Sequence, residues 1–522
     1  MLNLIPYPKK VTMKSGALSV PAQLGAEMDD FEVWCLSAYQ ERTGKNPGGN
    51  PWLHVRRDAA LPEEAYRLEI RQDGVEVIAS QERGVVWALT TLLQLEQNGD
   101  VPCCVIEDNP SYRHRGVSLD CARHFFPAAE VEKVIEEISL TKLNVLHWHL
   151  TDDQGWRIES KRFPLLHETS GEYYTQEEIR RIADYARLRG VEIIPEIDLP
   201  GHTSAILAAY PHLSCREEPV KLAESGGIYP VILCAGKEST FTFLEELLAE
   251  IAPLFPGERF HIGGDEAPKT EWAACPHCRR RMEELGLNRY EDLQGYFSSR
   301  VSAILKKHGK RCICWNETLC ASEVPTDVQI QYWTLQHRLT MQDFVQSGGE
   351  WIYSDMFELY LDYPYAMTSL RKLYETTPHL GNTEMGKSEN LIGMEACLWA
   401  EHIRDCERLE KLLFPRVHAL AEICWSQERD YPAFLARLDA FCSTRERTGV
   451  RYTARENWDP KGRKRRKEAV SFFTAINSGM SADVKEQTVA AAAPNKEFAQ
   501  SFIRKFFRPT DLLFLLPAMM KK

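Results

Sequence analysis

The sequence predicts an α/β fold in which a (β/α)8 TIM barrel follows a small α/β domain and precedes a C-terminal extension. Eight short apolar runs alternate with amphipathic helical stretches between residues 113 and 458, as in a barrel with loop insertions. Polar and aromatic residues follow the C-terminal ends of these runs, where barrel enzymes build their active sites. The chain has 522 residues. A single hydrophobic core holds about 250–300 residues, so we expect two or more domains. A doubly wound open sheet shows the same alternation, and only the count of eight favours the closed barrel.

The N-terminal α/β domain is predicted over residues 1–110. Side chains alternate between apolar and polar over 66–70, a turn sequence stands at 72–74, and the strand pattern resumes over 75–78. This pattern indicates a hairpin. Apolar residues at helical spacing over 84–95 predict a helix after it.

The barrel is predicted over residues 111–458. We expect its strands near 116–119, 144–150, 191–197, 259–262, 312–315, 328–333, 351–355 and 391–397. We expect three of its helices at 129–141, 175–189 and 293–308.

The extension over residues 459–522 has a different character. It contains a basic run from Lys461 to Lys467, an alanine tract over 490–493 and an apolar end over 512–516. A nucleic-acid or membrane patch is one interpretation of the basic run, but a solvated linker is more common and is our prediction. The apolar end is too short to span a membrane, and the sequence gives the extension no role.

Composition limits the partners and the compartment. The net charge of −12, from 75 acidic and 63 basic residues, argues against a nucleic-acid partner, because binding to phosphates requires a basic face. No run approaches the ~18 apolar residues of a membrane helix, and the first residues lack the pattern of a signal peptide. We therefore expect a cytoplasmic protein without a membrane partner, whose 15 cysteines are reduced thiols. The sequence does not indicate the oligomeric state.

Two adjacent carboxylates end one predicted strand, in the segment Arg259-Phe-His-Ile-Gly-Gly-Asp-Glu266. The two glycines allow a tight turn, after which Asp265 and Glu266 can line one pocket. Like charges held together raise the pKa of one carboxyl, which makes it a usable general acid near neutral pH. A helix N-cap before Ala267 is an equally good interpretation of the pair taken alone.

Aromatic residues in the barrel region favour a sugar-binding pocket. Flat indoles pack against the apolar faces of sugar rings, and placed polar groups between them give a pocket its specificity. The tryptophans in this region that we single out are Trp148, Trp156, Trp315, Trp333, Trp351 and Trp399. For any one of them, a place in the core is the alternative. The guanidinium of Arg123, after the first barrel strand, could hold two sugar hydroxyls or brace Asp120 in an ion pair.

One histidine motif raises the possibility of a catalytic metal. His147-Trp-His149 places two imidazoles on one face of a strand, and Asp198 and His202 could complete a metal site. A lone H-x-H is a weak motif, so we prefer core histidines with satisfied hydrogen bonds.

A cysteine motif raises the possibility of structural zinc. Cys275-Pro-His-Cys278 is a C-x2-C pair, and Cys312 and Cys314 could complete four ligands. A second C-x2-C pair is missing, so we predict no zinc, no other metal and no cofactor.

Five segments of the chain resemble the glycoside hydrolase family 20 β-N-acetylhexosaminidases and occur in the order of that family. They are Arg115-Gly-Val-Ser-Leu-Asp-Cys-Ala-Arg-His124, Lys142-Leu-Asn-Val-Leu-His-Trp-His-Leu-Thr-Asp-Asp-Gln-Gly-Trp156, Glu196-Ile-Asp-Leu-Pro-Gly-His202, His261-Ile-Gly-Gly-Asp-Glu266 and Gly393-Met-Glu-Ala-Cys-Leu-Trp-Ala-Glu401. The first 110 residues are similar to the small domain that precedes the barrel in this family. The tail beyond 460 lies outside the resemblance.

The resemblance implies a retaining, substrate-assisted mechanism, in which the 2-acetamido oxygen of the substrate attacks the anomeric carbon and forms an oxazolinium intermediate. It implies that Glu266 is the acid that protonates the leaving oxygen. Asp265 matches the carboxylate that orients the acetamido N–H, and Tyr360 matches the hydroxyl that holds the acetamido oxygen.

The resemblance also implies the residues around the sugar. Trp315, Trp333 and Trp399 match the enclosure of the acetamido methyl and ring. Arg123, Asp362 and Glu401 match the residues that bind hydroxyls. Asp152 and His202 belong to the same binding set, and together with the deeper Asp198 they match polar neighbours that position the acid. The stretch 354–362, which contains Tyr360 and Asp362, matches the family only loosely.

The leading hypothesis is an exo-acting β-N-acetylhexosaminidase that acts on terminal GlcNAc or GalNAc of β-linked oligosaccharides or glycoconjugates. Three alternatives stay open: a disaccharide-releasing lacto-N-biosidase of the same family, a metal-dependent barrel hydrolase that uses His147, His149 and His202, and a glycan-binding protein without catalysis. The presence of Glu266 counts against the last. The sequence does not decide between GlcNAc and GalNAc.

Overall fold

The computed structural model describes residues 2–324, 327–381, 383–385, 388–426 and 428–479. A mixed sheet of six strands comes first, in the order β1-β6-β4-β5-β3-β2. Its strands are β1 (Lys10–Ser19), β2 (Ala26–Met28), β3 (Leu53–Arg57), β4 (Tyr66–Arg71), β5 (Gly74–Ala79) and β6 (Asp100–Asp108). The helices of this part are α1 (Ser37–Thr43) and α2 (Glu82–Leu95), with a 3-10 helix at Val33–Leu36. The predicted hairpin is β4 with β5, and the predicted helix is α2, which buries Val85, Leu89 and Leu92.

Eight parallel strands then close a barrel, which confirms the predicted fold. The strands after β6 are β7 (His114–Asp120), β8 (Val145–His149), β9 (Thr151–Asp152), β10 (Gly155–Trp156), β11 (Glu192–Glu196), β12 (Arg259–His261), β13 (Arg311–Trp315), β14 (Gln329–Tyr332), β15 (Trp351–Tyr353), β16 (His379–Leu380), β17 (Thr383–Glu384) and β18 (Leu391–Leu398). The short pairs β9–β10 and β16–β17 are hairpins in the loops, and the other eight strands form the barrel. Each of these eight lies at a position that the sequence predicts.

Helices surround the barrel and continue after it. They are α3 (Ala128–Leu140), α4 (Leu165–Ser170), α5 (Gln176–Leu188), α6 (Ser204–Ala209), α7 (Glu238–Ile251), α8 (Thr270–Ala274), α9 (Pro276–Leu285), α10 (Tyr290–Lys307), α11 (Arg338–Gln346), α12 (Leu370–Tyr374), α13 (Cys406–Leu413), α14 (Arg416–Trp425), α15 (Tyr431–Arg445) and α16 (Gly462–Gly479). Further 3-10 helices stand at Pro211–Leu213, Ala252–Leu254, Asn316–Cys320, Leu335–His337, Glu446–Thr448 and Arg455–Asn457. The three predicted helices are α3, α5 and α10.

Two features differ from the expected pattern. In the described residues between β13 and β14, the 3-10 helix Asn316–Cys320 stands in place of a full helix. The basic run at 461–467 is not a linker, because it forms the first turns of α16, whose Phe472 packs edge-on against Tyr363. The alanine tract and the apolar end of the extension lie outside the described residues.

The barrel interior changes from apolar to polar along its axis. Val145, Ile194, Ile313, Ile352 and Ile392 form an apolar layer near the N-terminal ends of the strands. Inward-facing side chains repeat every second residue, so the next inward positions on β8 and β11 are His147 and Glu196. These are fully buried charged groups, and they lie directly beneath the mouth of the barrel. Within the described part of the chain, no helix combines the length and the apolarity needed to cross a membrane.

Candidate active site

The predicted site residues all stand at the C-terminal ends of barrel strands or in the loops that follow them. By strand they are Arg123 after β7; Asp152 after β8; Asp198 and His202 after β11; Asp265 and Glu266 after β12; Trp315 at the end of β13; Trp333 after β14; Tyr360 and Asp362 after β15; and Trp399 and Glu401 after β18. The barrel therefore gathers these positions at one face.

A strained turn carries the two adjacent carboxylates. Gly263 and Gly264 have φ of 65° and 100°, and Glu266 itself has φ of 47°, a conformation that few residues other than glycine adopt. A Cβ on Gly263 would stand 1.8 Å from Oδ1 of Asp198, so the glycine is required there. The next helix, α8, has Lys269 at its N-cap. The carboxylates therefore do not cap a helix, and the alternative interpretation of the pair is wrong.

Glu266 reaches the solvent-accessible mouth of the barrel. Its side chain is 32% exposed, and its Oε2 lies 3.5 Å from Nε2 of His202. Its backbone N–H donates a 2.8 Å hydrogen bond to Glu317. The residue lines a cavity of about 400 Å³ together with Ile228, Pro230 and Glu317. A carboxyl on such a cavity wall can give a proton to a bound ligand or take one from it.

Asp265 occupies a more enclosed position. Its Oδ1 is buried and has no hydrogen-bond partner among the described residues. Burial, and the charges of Glu317 and Glu266, raise its pKa to about 7, although His202 acts in the opposite direction. An unpaired buried carboxylate oxygen next to a residue that lines a cavity is available to a polar group of a ligand.

A histidine connects Glu266 to the barrel interior. Nδ1 of His202 lies 3.3 Å from Asp152 and 3.3 Å from Asp153, while its Nε2 faces Glu266. Like Glu266, His202 has a left-handed backbone, with φ of 51°. Burial opposes its charge, but Asp152 outweighs this and holds the pKa of His202 well above its usual range. A protonated imidazole at this place fixes the orientation of the Glu266 carboxylate.

Deeper in the site, Asp198 accepts a 3.2 Å hydrogen bond from the backbone N–H of Gly264. Burial and the neighbouring Asp265 hold the pKa of Asp198 well above its usual range. The Asp198 side chain thus braces the turn that presents Asp265.

Four aromatic rings form one wall of the site. Trp315 and Trp399 have ring centroids 5.8 Å apart, and Trp399 lies 6.0 Å from Tyr360. Trp333 stacks on Tyr360 at 6.3 Å and 15°. Nε1 of Trp315 donates to Glu196 at 3.0 Å, which fixes the ring. The other three tryptophans singled out from the sequence, Trp148, Trp156 and Trp351, are fully buried in the core, as the alternative interpretation of single tryptophans allowed.

Charged side chains lie next to Trp399 of this wall. Arg123 lies 2.9 Å from Asp152, 3.3 Å from Asp120 and 4.0 Å from Glu401, and its guanidinium stands 5.0 Å from the Trp399 ring. The guanidinium thus braces Asp120, and its buried Nε has no hydrogen-bond partner among the described residues. Burial and the charge of Glu401 raise the pKa of Asp362 to about 8.

A second cavity, of about 660 Å³, extends the site toward α16. Its walls include Asp362, Trp399, Glu401, Lys464 and Lys467. The C-terminal extension, whose role the sequence left open, therefore borders the part of the site where hydroxyl-binding residues are predicted.

The histidines of the metal hypothesis are engaged by carboxylates. His147 lies 2.8 Å from Glu395 and 3.1 Å from Glu196, and His149 lies 2.5 Å from Glu196 and 3.0 Å from Asp152. Both glutamates pull the pKa of His147 up to about 9 against its burial. These ion pairs favour the interpretation of His147 and His149 as core residues.

Several residues of this network had no specific role predicted from the sequence. Glu196 and Glu395 each contact two or more histidines, Glu317 supports Glu266, and Asp153 supports His202. Their positions in the sequence could have indicated them. Glu196, Glu395 and Asp153 lie within the motifs quoted above, and Glu317 follows Trp315 by two residues.

A (β/α)8 barrel whose mouth joins adjacent carboxylates to an aromatic wall defines the class of barrel glycoside hydrolases. The sequence profile "Glycosyl hydrolase family 20, catalytic domain" matches residues 112–428, and "Glycosyl hydrolase family 20, domain 2" matches residues 1–109. The chain therefore belongs to glycosyl hydrolase family 20 and is an enzyme of that family.

Individual relatives agree with this assignment. A beta-hexosaminidase from Porphyromonas gingivalis is 34% identical over 518 residues, an alignment that covers 86% of this chain and 64% of the relative. The solved structure of a beta-N-acetylhexosaminidase from Bacteroides fragilis has a TM-score of 0.81 and 29% identity, covering 88% of this chain and 99% of that one. An exo beta-N-acetylglucosaminidase from Vibrio harveyi, solved in complex with N-acetylglucosamine, has a TM-score of 0.77 and 30% identity, covering 87% and 78% of the two chains.

Proposed function

We propose that this chain is an exo-acting β-N-acetylhexosaminidase that releases terminal GlcNAc or GalNAc from β-linked glycosides, with retention and with assistance from the substrate. The main support for this proposal is that Asp265 and Glu266 are adjacent and share one turn. In a glycosidase that uses two carboxylates, these groups flank the scissile bond. Neighbours on one turn fit better a reaction in which the substrate supplies the nucleophile. The names of the relatives support the same substrate class.

The geometry suggests a role for each group. The 2-acetamido oxygen attacks the anomeric carbon while Glu266 protonates the leaving oxygen. The free oxygen of Asp265 accepts the acetamido N–H and stabilises the positive charge of the oxazolinium, and the Tyr360 hydroxyl holds the acetamido oxygen. Glu266 then takes a proton from water, which opens the oxazolinium from the opposite face and restores the original configuration.

The remaining residues bind and enclose the sugar. Trp315, Trp333 and Trp399 pack against the acetamido methyl and the ring. Arg123, Asp362 and Glu401 hold the hydroxyls that are distant from the scissile bond. Asp152 and His202 orient Glu266, and Asp198 braces the turn beneath it.

The first test is release of nitrophenol from the β-GlcNAc and β-GalNAc nitrophenyl glycosides. We expect release from one or both, and the ratio of the two kcat/KM values gives the preference. Release of a disaccharide with no release of single sugars would instead identify a lacto-N-biosidase. Release that disappears with a chelator and returns with added metal ions, in Cys275→Ser/Cys278→Ser as well as in the unaltered chain, would favour the metal-dependent hydrolase.

Glu266→Gln tests the acid. General acid catalysis contributes about 10²–10⁴-fold, so we expect a loss of that size in kcat/KM on a β-linked N-acetylglucosamine disaccharide. The loss should be much smaller on nitrophenyl glycosides, because nitrophenolate leaves without protonation. Glu245→Gln, at an exposed glutamate paired with Lys307, is the matched control. Equal losses on both kinds of substrate would show that Glu266 is not the acid.

The compartment is also proposed. None of the 15 cysteines forms a disulfide, which fits a reducing cytoplasm. In that compartment the substrates would be short imported oligosaccharides. Fractionation against a cytoplasmic marker checks this, and co-fractionation with an external marker would contradict it.

A further inference from the structure

Four cysteine thiols meet beside the barrel mouth. Cys215 and Cys234 flank one long loop, and Cys275 and Cys278 begin α9. Their Sγ atoms all lie within 4.8 Å of one another. The separations are 3.6 Å for Cys234–Cys278, 3.8 Å for Cys234–Cys275 and 3.9 Å for Cys215–Cys278. We propose that these four thiolates bind a structural zinc ion.

The distances match a tetrahedral thiolate site. With Zn–S bonds of about 2.3 Å, the tetrahedral angle places each pair of sulfurs about 3.8 Å apart. A disulfide would place two sulfurs at about 2.05 Å. Three of the six Sγ–Sγ separations, at 3.6–3.9 Å, fit this geometry, and the other three are no longer than 4.8 Å.

Local groups stabilise the negative charge that such a site needs. Cys275 is the N-cap of α9, and Cys278 lies in its first turn, where the helix dipole favours thiolate. The backbone N–H of Gly236 donates a hydrogen bond to the Cys234 sulfur. Three of the thiols are buried and only Cys215 is partly exposed, so a bound ion would be closed off from exchange.

Glycine allows the two cysteine segments to approach closely. A Cβ on Gly236 would stand 2.2 Å from the carbonyl carbon of His277 and 2.4 Å from the backbone nitrogen of Cys278. On the other side, Nζ of Lys237 donates to the backbone carbonyls of His212 and Ser214, next to Cys215. The surrounding backbone thus holds the four thiols together.

The proposed ion would fix the wall of the active site. The loop between Cys215 and Cys234 carries Ile228 and Pro230, which line the Glu266 cavity. The carbonyl oxygen of Ser225 in the same loop accepts a 2.8 Å hydrogen bond from Gln154. Both ends of this loop would be tied to the segment that follows Asp265 and Glu266. The role is structural, because the four ligands leave no open position for a water molecule.

The four proposed ligands differ from those considered in the sequence analysis, where Cys312 and Cys314 were paired with Cys275 and Cys278. Cys312 and Cys314 lie on β13, and their Sγ atoms are 3.7 Å apart. They are not part of the four-thiol group, so they do not complete a site with Cys275 and Cys278. The partners come from a loop whose path the sequence does not reveal.

Metal analysis of the purified full chain tests the proposal. Protein expressed in zinc-supplemented medium and desalted without chelator should carry about one zinc ion per chain, measured by inductively coupled plasma mass spectrometry. Cys275→Ser/Cys278→Ser should lose the ion. Cys312→Ala/Cys314→Ala, which removes the other close pair of thiols, and Glu266→Gln should keep it.

A measurement on the unaltered chain covers the case in which the cysteine variants do not fold. Titration with a mercurial should release zinc in step with the modification of four thiols, followed with a chromogenic chelator. Replacement by Co²⁺ should give the thiolate-to-cobalt charge-transfer bands of a tetrahedral site. No zinc above a mock preparation, disulfides among these cysteines in non-reduced peptides, or retention of zinc by the double serine variant would each overturn the proposal. None of these readouts depends on glycosidase activity.

Discussion

Among single residues, Asp265 is a site residue whose ionised form destabilises the folded protein. Its enclosed carboxyl has a pKa near 7, above the ordinary value of 3.8. When the pKa of an acid is higher in the folded state than in the unfolded state, the folded state binds more protons between the two values. The free energy of unfolding therefore falls as the pH rises from about 4 to about 7.

Asp265→Asn should accordingly stabilise the fold at neutral pH. We expect an increase in the free energy of unfolding on the order of 1–3 kcal/mol at pH 8 and almost none at pH 4, with a loss of activity at both. Thermal unfolding at the two pH values measures this. Asp327→Asn is the control of opposite sign, because the hydrogen bond from Lys306 lowers the pKa of Asp327. Equal stabilisation of the Asp265 variant at both pH values would contradict the argument.

Glu317→Gln tests the group that controls Asp265. If Asp265 works as a carboxylate, kcat/KM should fall as the pH drops through about 7, because this limb reports the free enzyme. The charge of Glu317 is the largest neighbouring charge that raises the pKa of Asp265. Its removal should move the limb to lower pH, while the Gln oxygen can still accept the Glu266 N–H. If the acidic limb of the kcat/KM profile stayed at the same pH, as it should in Glu245→Gln, another group would be the one that titrates.

Individual site residues differ in how far the sequence predicts them. Asp265 and Glu266 were visible because two glycines and two carboxylates stand together at a strand end. Glu196 and Glu395 were not recognised as partners of His147, because that contact depends on the register of strands far apart in the chain. The partner of a polar residue inside a strand can be identified only when the neighbouring strands of the barrel are known.

At the scale of elements, the strand-end turn after β12 is the most constrained piece of backbone. Gly263→Ala combines strain at φ of 65° with a Cβ that would overlap Asp198. We expect destabilisation of about 1–3 kcal/mol and a loss in kcat/KM of at least about tenfold, since the turn positions both carboxylates.

Gly309→Ala is the matched control for this turn. Gly309 has φ of 70°, but a Cβ added there would meet no heavy atom within 4 Å, so only the strain of about 1 kcal/mol is expected. Activity assays and chemical denaturation of both variants compare the two sites. An activity loss in the control as large as that in Gly263→Ala would contradict a specific role for the β12 turn.

The elements themselves were largely predictable, and the exceptions have physical reasons. Apolar periodicity predicted the eight barrel strands because each is buried on both faces. The basic run before Phe472 looked like a linker because charge suggests solvent. Lysine and arginine are also good helix formers, however, and Ala469, Val470 and Phe472 of α16 pack against the core.

At the scale of the whole molecule, a buried ion pair joins the N-terminal sheet to the barrel. Glu64 accepts hydrogen bonds from Arg115 on β7, from Nε1 of Trp87 on α2 at 2.7 Å and from Asn144 at 2.9 Å. Arg115 is fully buried, and its charge outweighs burial and lowers the pKa of Glu64. The sequence predicted two domains but not the residues that join them, and the boundaries near 110 and 458 stay predictions.

Glu64→Ala should therefore destabilise the molecule as a whole. Removal of one partner from a buried pair leaves the guanidinium of Arg115 without compensation, which costs about 3–5 kcal/mol. Thermal unfolding should show a lower Tm, while kcat/KM at low temperature stays unchanged because Glu64 is remote from the barrel mouth. Glu407→Ala is the control, because it breaks an exposed helical pair with Lys411, a kind of pair that contributes little to stability. If both variants had the same Tm, the ion pair would not stabilise the contact between the sheet and the barrel. Packing of Trp87 against Trp425 across the same boundary would then have to stabilise that contact.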